Sequence, residues 1–116
     1  MIELPEFDTG QYEGCELLMH EGRAKLTLKI SELPDFSIGL SKVRWHQFTA
    51  LPNCTPAQIK GSYFRLTDLG SSAELQAFLA GDRSSSKAYK ELHHYRIFLD
   101  ETGCHEFFAE AAHVCP

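Results

Sequence analysis

The chain has 116 residues, of which 43% are hydrophobic, 11% aromatic and 23% charged, and its net charge is −5. This profile fits one globular domain over residues 1–116 and excludes a helical membrane protein, since no run approaches the 18 apolar residues of a membrane-spanning helix. The first eight residues lack the basic and apolar parts of a signal peptide, so we expect a cytoplasmic protein whose four cysteines are reduced.

The charges are unevenly distributed along the chain. Residues 1–22 hold six acidic groups and no Lys or Arg, residues 23–67 hold seven bases against two acids, and residues 68–116 hold eight acids against four bases. An acidic surface repels phosphate backbones and attracts basic partners. We therefore expect a protein partner and no nucleic-acid partner.

The first half of the chain predicts β-strands. An apolar run over 15–20 is followed by Glu21-Gly22 and then by residues 23–30, where apolar and polar side chains alternate strictly. Such alternation is typical of a strand with one wet face, and the Gly-containing pair indicates a hairpin turn. After a break at 33–35, residues 36–51 are rich in β-formers and predict a long strand with a bulge near Ser41-Lys42.

Helical signals come next. Thr55 and Gln58 form a capping box around Pro56, which predicts about one turn of helix. A strand is expected over 63–67, and the sequence from Ser71 to Glu74 reads as a second capping box. It begins a helix over about 72–81 with an apolar stripe, and another helix is expected over 84–92.

The last unit predicts a hairpin of strands 94–99 and 104–109, with Gly103 supplying the positive φ that ends its turn. The whole chain therefore predicts an α+β fold. Its mainly antiparallel sheet should contain about six or seven strands, with two helices (about 72–81 and 84–92) packed on one face.

The sequence contains no phosphate-binding glycine loop, no nucleophile elbow and no H-E-x-x-H motif. Cys104 and His105 are neighbours on a predicted strand, so they point to opposite faces and cannot form a nucleophile–base pair with each other. The last 24 residues also hold further thiol and imidazole groups, whose strand positions do not converge on one point: His93, His94, His113 and Cys115. We therefore predict no catalytic, cofactor-binding or metal-binding residue, and we keep as an alternative a small metal-dependent or thiol enzyme using these groups.

Four acidic residues are the predicted partner-binding groups: Asp100, Glu101, Glu106 and Glu110. The first two belong to the hairpin turn. Glu106 and Glu110 share one strand face with Cys104 and Phe108, and we expect that face to be wet and negatively charged. Trp45, the only tryptophan, is assigned either to the core or to a binding surface.

Residues 93–110 combine an aromatic-apolar strand, an acidic Gly-containing turn and a Glu-apolar strand. This hairpin resembles the final hairpin of small bacterial immunity-type proteins of polymorphic or contact-dependent toxin systems. The resemblance implies a non-enzymatic cytosolic protein that neutralises a basic toxin domain by occupying its surface, and it carries over no active site. A further alternative is a homodimeric structural module that pairs through an exposed strand edge.

Overall fold

The computed structural model describes residues 2–81 and 91–115. Over these residues the chain forms nine β-strands, two α-helices and two short 3-10 helices (Thr9–Gln11 and Leu51–Asn53). The strands are β1 (Ile2–Glu3), β2 (Tyr12–His20), β3 (Arg23–Ile30), β4 (Phe36–Ser41), β5 (Trp45–Ala50), β6 (Arg65–Asp68), β7 (His93–Leu99), β8 (Gly103–Ala109) and β9 (Ala111–Val114). The helices are α1 (Pro56–Ile59) and α2 (Ala73–Gly81).

The strands form two sheets in which every pair of neighbouring strands is antiparallel. One has five strands in the order β1-β6-β7-β8-β5, and the other has four in the order β2-β3-β4-β9. The predicted α+β class is therefore confirmed, and the described residues contain nine strands where six or seven were predicted.

The two sheets are connected by one bent ribbon. Glu110 alone separates β8 from β9, and residues 42–44 separate β4 from β5. Backbone hydrogen bonds continue across the bend, from the Arg44 N–H to the Phe108 carbonyl (2.8 Å) and from the Glu110 N–H to the Ser41 carbonyl (3.0 Å). The predicted long strand with a bulge near Ser41-Lys42 is thus two strands, β4 and β5, that pass from one sheet into the other through residues 42–44.

The first hairpin forms as its alternation predicts. Ala24, Leu26, Leu28 and Ile30 are buried, while the residues between them face outward. Glu21 and Gly22 both have positive φ (49° and 76°), which matches the twist of a two-residue hairpin turn. The core lies between the sheets and joins this strand to β4, β6, β7 and β8.

Both helices lie over the outer face of the five-stranded sheet. The Thr55 capping box of α1 is present as predicted. Helix α2 also matches its predicted range, but its first turn is capped by Ser72, whose Oγ accepts a hydrogen bond from the Leu75 N–H (3.1 Å), and not by Ser71 as expected. Apart from residues 91 and 92, which are not helical, the helix predicted over 84–92 lies outside the described residues.

Tyr63 was expected in a strand with Thr67, but it makes only an isolated parallel bridge to Phe98, and β6 begins at Arg65. Within residues 2–81 and 91–115, no helix has the length and apolar character needed to cross a membrane.

Candidate functional site

Glu106 lies in the middle of β8, on the sheet face that the helices cover. Strand alternation places it beside Arg96 of β7 and Gln47 of β5, which are its partners in the antiparallel register. Cys104 and Phe108 share this face, as predicted from the sequence. The predicted exposure is wrong: Glu106 is only 6% exposed, because α1 and α2 close over the strand.

The Glu106 carboxylate is held by three donors. Its Oε1 accepts from His94 Nε2 (2.8 Å) and Arg96 Nε (2.9 Å), and its Oε2 accepts from Gln58 Nε2 (3.2 Å). Burial by itself raises the pKa of Glu106, but these hydrogen bonds and the Arg96 charge outweigh burial and lower the pKa to about 2. The side chain is therefore an ionised carboxylate at neutral pH, fixed on both oxygens.

His94 connects this carboxylate to helix α2. Its side chain is 1% exposed, and its Nδ1 lies 2.7 Å from Ser72 Oγ while its Nε2 faces Glu106. A hydrogen on Nε2 and a lone pair on Nδ1 satisfy both contacts, with the Ser72 hydroxyl donating to Nδ1 and accepting from the Leu75 N–H. Ser72 therefore joins the helix terminus to the sheet, and it does not line the pocket above Glu106.

A pocket of about 640 Å³ opens above this network, between the sheet and the two helices. The Trp45 ring stacks on Phe108 at a centroid distance of 4.2 Å, and the Phe78 ring lies 5.2 Å from the same residue. Glu74 stands at the rim with 65% of its side chain exposed. Apolar rings thus form the walls, and hydrogen-bonded charged groups form the floor, a combination typical of a binding site.

The structure separates the four predicted partner-binding acids. Asp100 and Glu101 lie in the β7–β8 turn, where Asp100 accepts a hydrogen bond from Tyr63 Oη (3.1 Å) and Glu101 is exposed. Glu110 lies at the other end of β8, in the bend, and no described residue hydrogen-bonds its buried Oε2. Glu106 is inside the pocket floor, so the four do not share one exposed face.

The acidic turn lies near the N-terminal segment. Tyr12 Oη and Thr102 Oγ1 are 2.7 Å apart although 90 residues separate them in sequence. Asp8, which is exposed, caps the 3-10 helix just before Tyr12. This end of the molecule therefore combines exposed acids from both ends of the chain.

The buried thiol of Cys104 and the half-buried thiol of Cys15 are poor nucleophiles. Burial, together with the nearby charge of Glu106, raises the pKa of Cys104 to about 12. Cys15 lies 3.8 Å from His105 Nε2, but burial raises the pKa of the Cys15 thiol. Burial and the neighbouring His46, 3.0 Å away, lower the pKa of His105 to about 4, so this pair does not form a thiolate–imidazolium at neutral pH. Among residues 2–81 and 91–115 no three His, Cys, Asp or Glu side chains are placed to hold a metal ion.

Sequence reasoning missed most of the pocket. The sequence assigns Trp45 either to the core or to a binding surface, and it places His94 only in the alternative metal or thiol site. It predicts no site for Gln58, Glu74, Phe78 or Arg96. One signal was available, because the β7–β8 hairpin turn places Arg96 opposite Glu106. On its strand face Glu106 lies between Cys104 and Phe108, and it faces Arg96, the last Lys or Arg of the chain. A carboxylate in such surroundings indicates a buried ion pair.

The chain matches no model of a known protein family, no curated protein and no solved structure.

Proposed function

We propose that this chain is a non-enzymatic binding protein that recognises its partner through the pocket above Glu106. The observation that carries the proposal is the arrangement of that pocket, in which half-buried Trp45 and Phe78 stand over a floor fixed by hydrogen bonds. A preorganised floor loses little conformational freedom on binding, which favours affinity. Burying an ion pair costs desolvation energy. Ionisable groups with strongly shifted pKa values cluster at functional sites, so the buried Glu106–Arg96 pair in a cleft supports a binding role.

Binding is favoured over catalysis by the state of the ionisable groups. A general acid or base works best with a pKa near the operating pH. The pKa of Glu106 is lowered to about 2, and both of its oxygens accept hydrogen bonds from neighbouring side chains. The group that occupies the centre of the floor is therefore suited to holding Arg96 and His94 in place rather than to moving a proton.

The partner class that we propose is a basic protein surface, in particular a basic toxin domain neutralised by this chain. The net charge of −5 supports attraction of such a partner. At the pocket, the exposed carboxylate of Glu74 and the ring faces of Trp45 and Phe78 suit a Lys or Arg side chain. Arg96 does not oppose this, since its guanidinium is hydrogen-bonded to Glu106 and to the Ala57 carbonyl.

The pocket contains its own reporter, because Trp45 is the only tryptophan. We expect N-acetyl-arginine amide to change Trp45 emission saturably, with a Kd of about 1 mM as befits so small a ligand. N-acetyl-glutamine amide, the neutral control, should have no effect. Glu74→Gln should weaken the fluorescence response. The matched control is Glu13→Gln, because Glu13 is an exposed residue of β2 that does not line the pocket, and this change should leave the response unaltered. An unchanged emission spectrum with the arginine derivative would refute the basic side-chain assignment.

The toxin assignment needs a separate test. This chain would be co-expressed with the reading frame adjacent to its gene, followed by co-purification and a growth-rescue assay. We expect a stable complex and restored growth, with Glu74→Gln slowing association and the rate falling as salt rises. If the adjacent reading frame encodes a toxic protein that this chain neither binds nor neutralises, the immunity role is excluded. The fluorescence result with the arginine derivative would still stand.

A further inference from the structure

Strand β2 ends in an exposed apolar segment at the edge of the four-stranded sheet. Leu18 is 67% exposed and Met19 is 45% exposed, and only His20 separates this adjacent pair from the hairpin turn at Glu21-Gly22. Strand β2 pairs with β3 on one side only, and it is the first strand in the order β2-β3-β4-β9. A nine-residue edge strand of this kind presents unpaired backbone groups to any strand that can align with it.

The hairpin turn determines which backbone groups face the open edge. His20 and Arg23 flank the two-residue turn, so the turn hydrogen bond joins these two residues. Antiparallel pairs alternate between bonded and non-bonded, which directs the N–H and C=O of Leu18 toward β3 and those of Leu17 and Met19 away from it. No backbone hydrogen bond from another described segment reaches Leu17 or Met19.

The edge also lacks most of the usual protection against pairing, since Glu16 is the one Asp, Glu, Lys or Arg among residues 15–20. Natural edge strands carry Pro, Lys or bulges that block a partner strand. Residues 15–20 contain neither Pro nor Lys, and the bulge of β2 lies before them, between Tyr12 and Gly14. The segment from Cys15 to His20 is therefore a regular strand open to a partner.

We propose that this edge pairs with the same edge of a second copy of the chain, antiparallel and centred on Leu18. In this register Leu18 meets Leu18 of the other copy, and Leu17 meets Met19 in a hydrogen-bonded pair. The backbone groups that face the edge are the ones this register uses. Glu16 then lies opposite His20 on both sides of the two-fold axis, so an acidic side chain faces a basic one that can donate a hydrogen bond to it.

Neighbouring registers with the same backbone parity fit less well. Centring on Leu17 places Glu16 opposite Leu18, and centring on Met19 places His20 opposite Leu18. Each sets a charged or polar side chain against an exposed leucine and leaves the Glu16–His20 pairs unmade. The side chains therefore favour the register centred on Leu18, which would join two four-stranded sheets into one of eight strands.

Sedimentation equilibrium over micromolar to millimolar protein tests the interface. We expect a monomer–dimer equilibrium whose Kd rises at least 10-fold in Leu18→Lys. The matched control is Leu33→Lys, since Leu33 is 40% exposed and lies outside β2. It should dimerise like the original chain. Circular dichroism verifies that each variant is folded. A chain that stays monomeric throughout, or a dimer equally weakened by both changes, would overturn the proposal.

A charge exchange tests the register. Glu16→Lys removes the carboxylate opposite His20 and should weaken the dimer. Glu16→Lys combined with His20→Glu places opposite charges at the two positions and should recover at least half of the loss on a logarithmic scale. Another register gives no recovery, and that result would overturn the alignment. The pocket lies on the other sheet, so the monomeric Leu18→Lys variant should still bind N-acetyl-arginine amide, as measured by Trp45 emission. This titration distinguishes failure of the dimer from failure of the pocket.

Discussion

Glu106 Oε1 and His94 Nε2 are 2.8 Å apart in the interior, where 7% of the glutamate side chain and 1% of the histidine side chain are exposed. The two residues lie on neighbouring strands, on the face that α1 and α2 cover. Their contact ties the floor of the pocket to Ser72 and thus to the start of α2. Folding stability and pocket geometry are therefore coupled through one carboxylate.

The lowered pKa of Glu106 predicts acid sensitivity. A carboxyl group whose pKa is depressed in the folded state stabilises the fold above its unfolded pKa, near 4.5, and this contribution is lost as pH falls toward about 2. We expect the free energy of unfolding, measured with urea, to drop by on the order of 3 kcal/mol over this window. In Glu106→Gln the drop should be smaller, whereas exposed Glu101→Gln should follow the original chain. Parallel curves for all three proteins would contradict the assignment.

Removing the Arg96 charge alone should lower the free energy of unfolding more than removing it together with the charge of Glu106, its ion-pair partner. Arg96→Met leaves the Glu106 carboxylate buried with one donor fewer, which costs about 3–5 kcal/mol in comparable buried pairs. The double change Arg96→Met with Glu106→Leu removes the uncompensated charge and should recover part of that stability, while the His94 and Gln58 donors lose their acceptor. Urea unfolding of the four proteins in the cycle measures the coupling energy. Additive effects would show that the pair is energetically independent.

Gly103 begins β8 at a close backbone approach. Its φ is +140°, and a Cβ added there would collide with the Thr49 carbonyl oxygen of the neighbouring strand. We expect Gly103→Ala to destabilise the fold by about 2 kcal/mol or more, from strain and displacement of β5. Gly81→Ala is the matched control, because a Cβ there meets no atom of the described residues within 4 Å. It should change the unfolding free energy by less than about 1 kcal/mol. Equal effects at both positions would contradict the close approach.

Ser72, rather than Ser71, should determine the stability of the first turn of α2. Ser72→Ala removes both the bond from the Leu75 N–H and the contact with His94, and a lost cap costs about 1 kcal/mol. Ser71 is exposed and its Oγ accepts only from the Gln76 side chain among the described contacts, so Ser71→Ala should cost much less. Thermal unfolding of the two variants makes the comparison. A larger loss of stability in Ser71→Ala would instead support Ser71 as the N-cap residue, as the sequence predicts.

The sequence by itself predicted the elements whose pattern is local. The alternation in residues 23–30, the Thr55 capping box, the stripe led by Leu75 and the positive φ of Gly103 each follow from interactions within a few residues. The partner-binding role assigned to the acidic residues stays a prediction, as does the cytoplasmic location.

Only the tertiary structure decided what those elements enclose. Strand parity correctly placed Glu106 with Phe108 on one face, but parity cannot say whether a face meets water or a helix, because that depends on segments far away in the chain. The α1 residue Gln58 reaches Glu106 across 48 positions, and this contact, with those from His94 and Arg96, turns an expected surface charge into the buried centre of a pocket. Burial is a property of the assembled layers, so the sequence could supply the carboxylate and its strand face but not its environment.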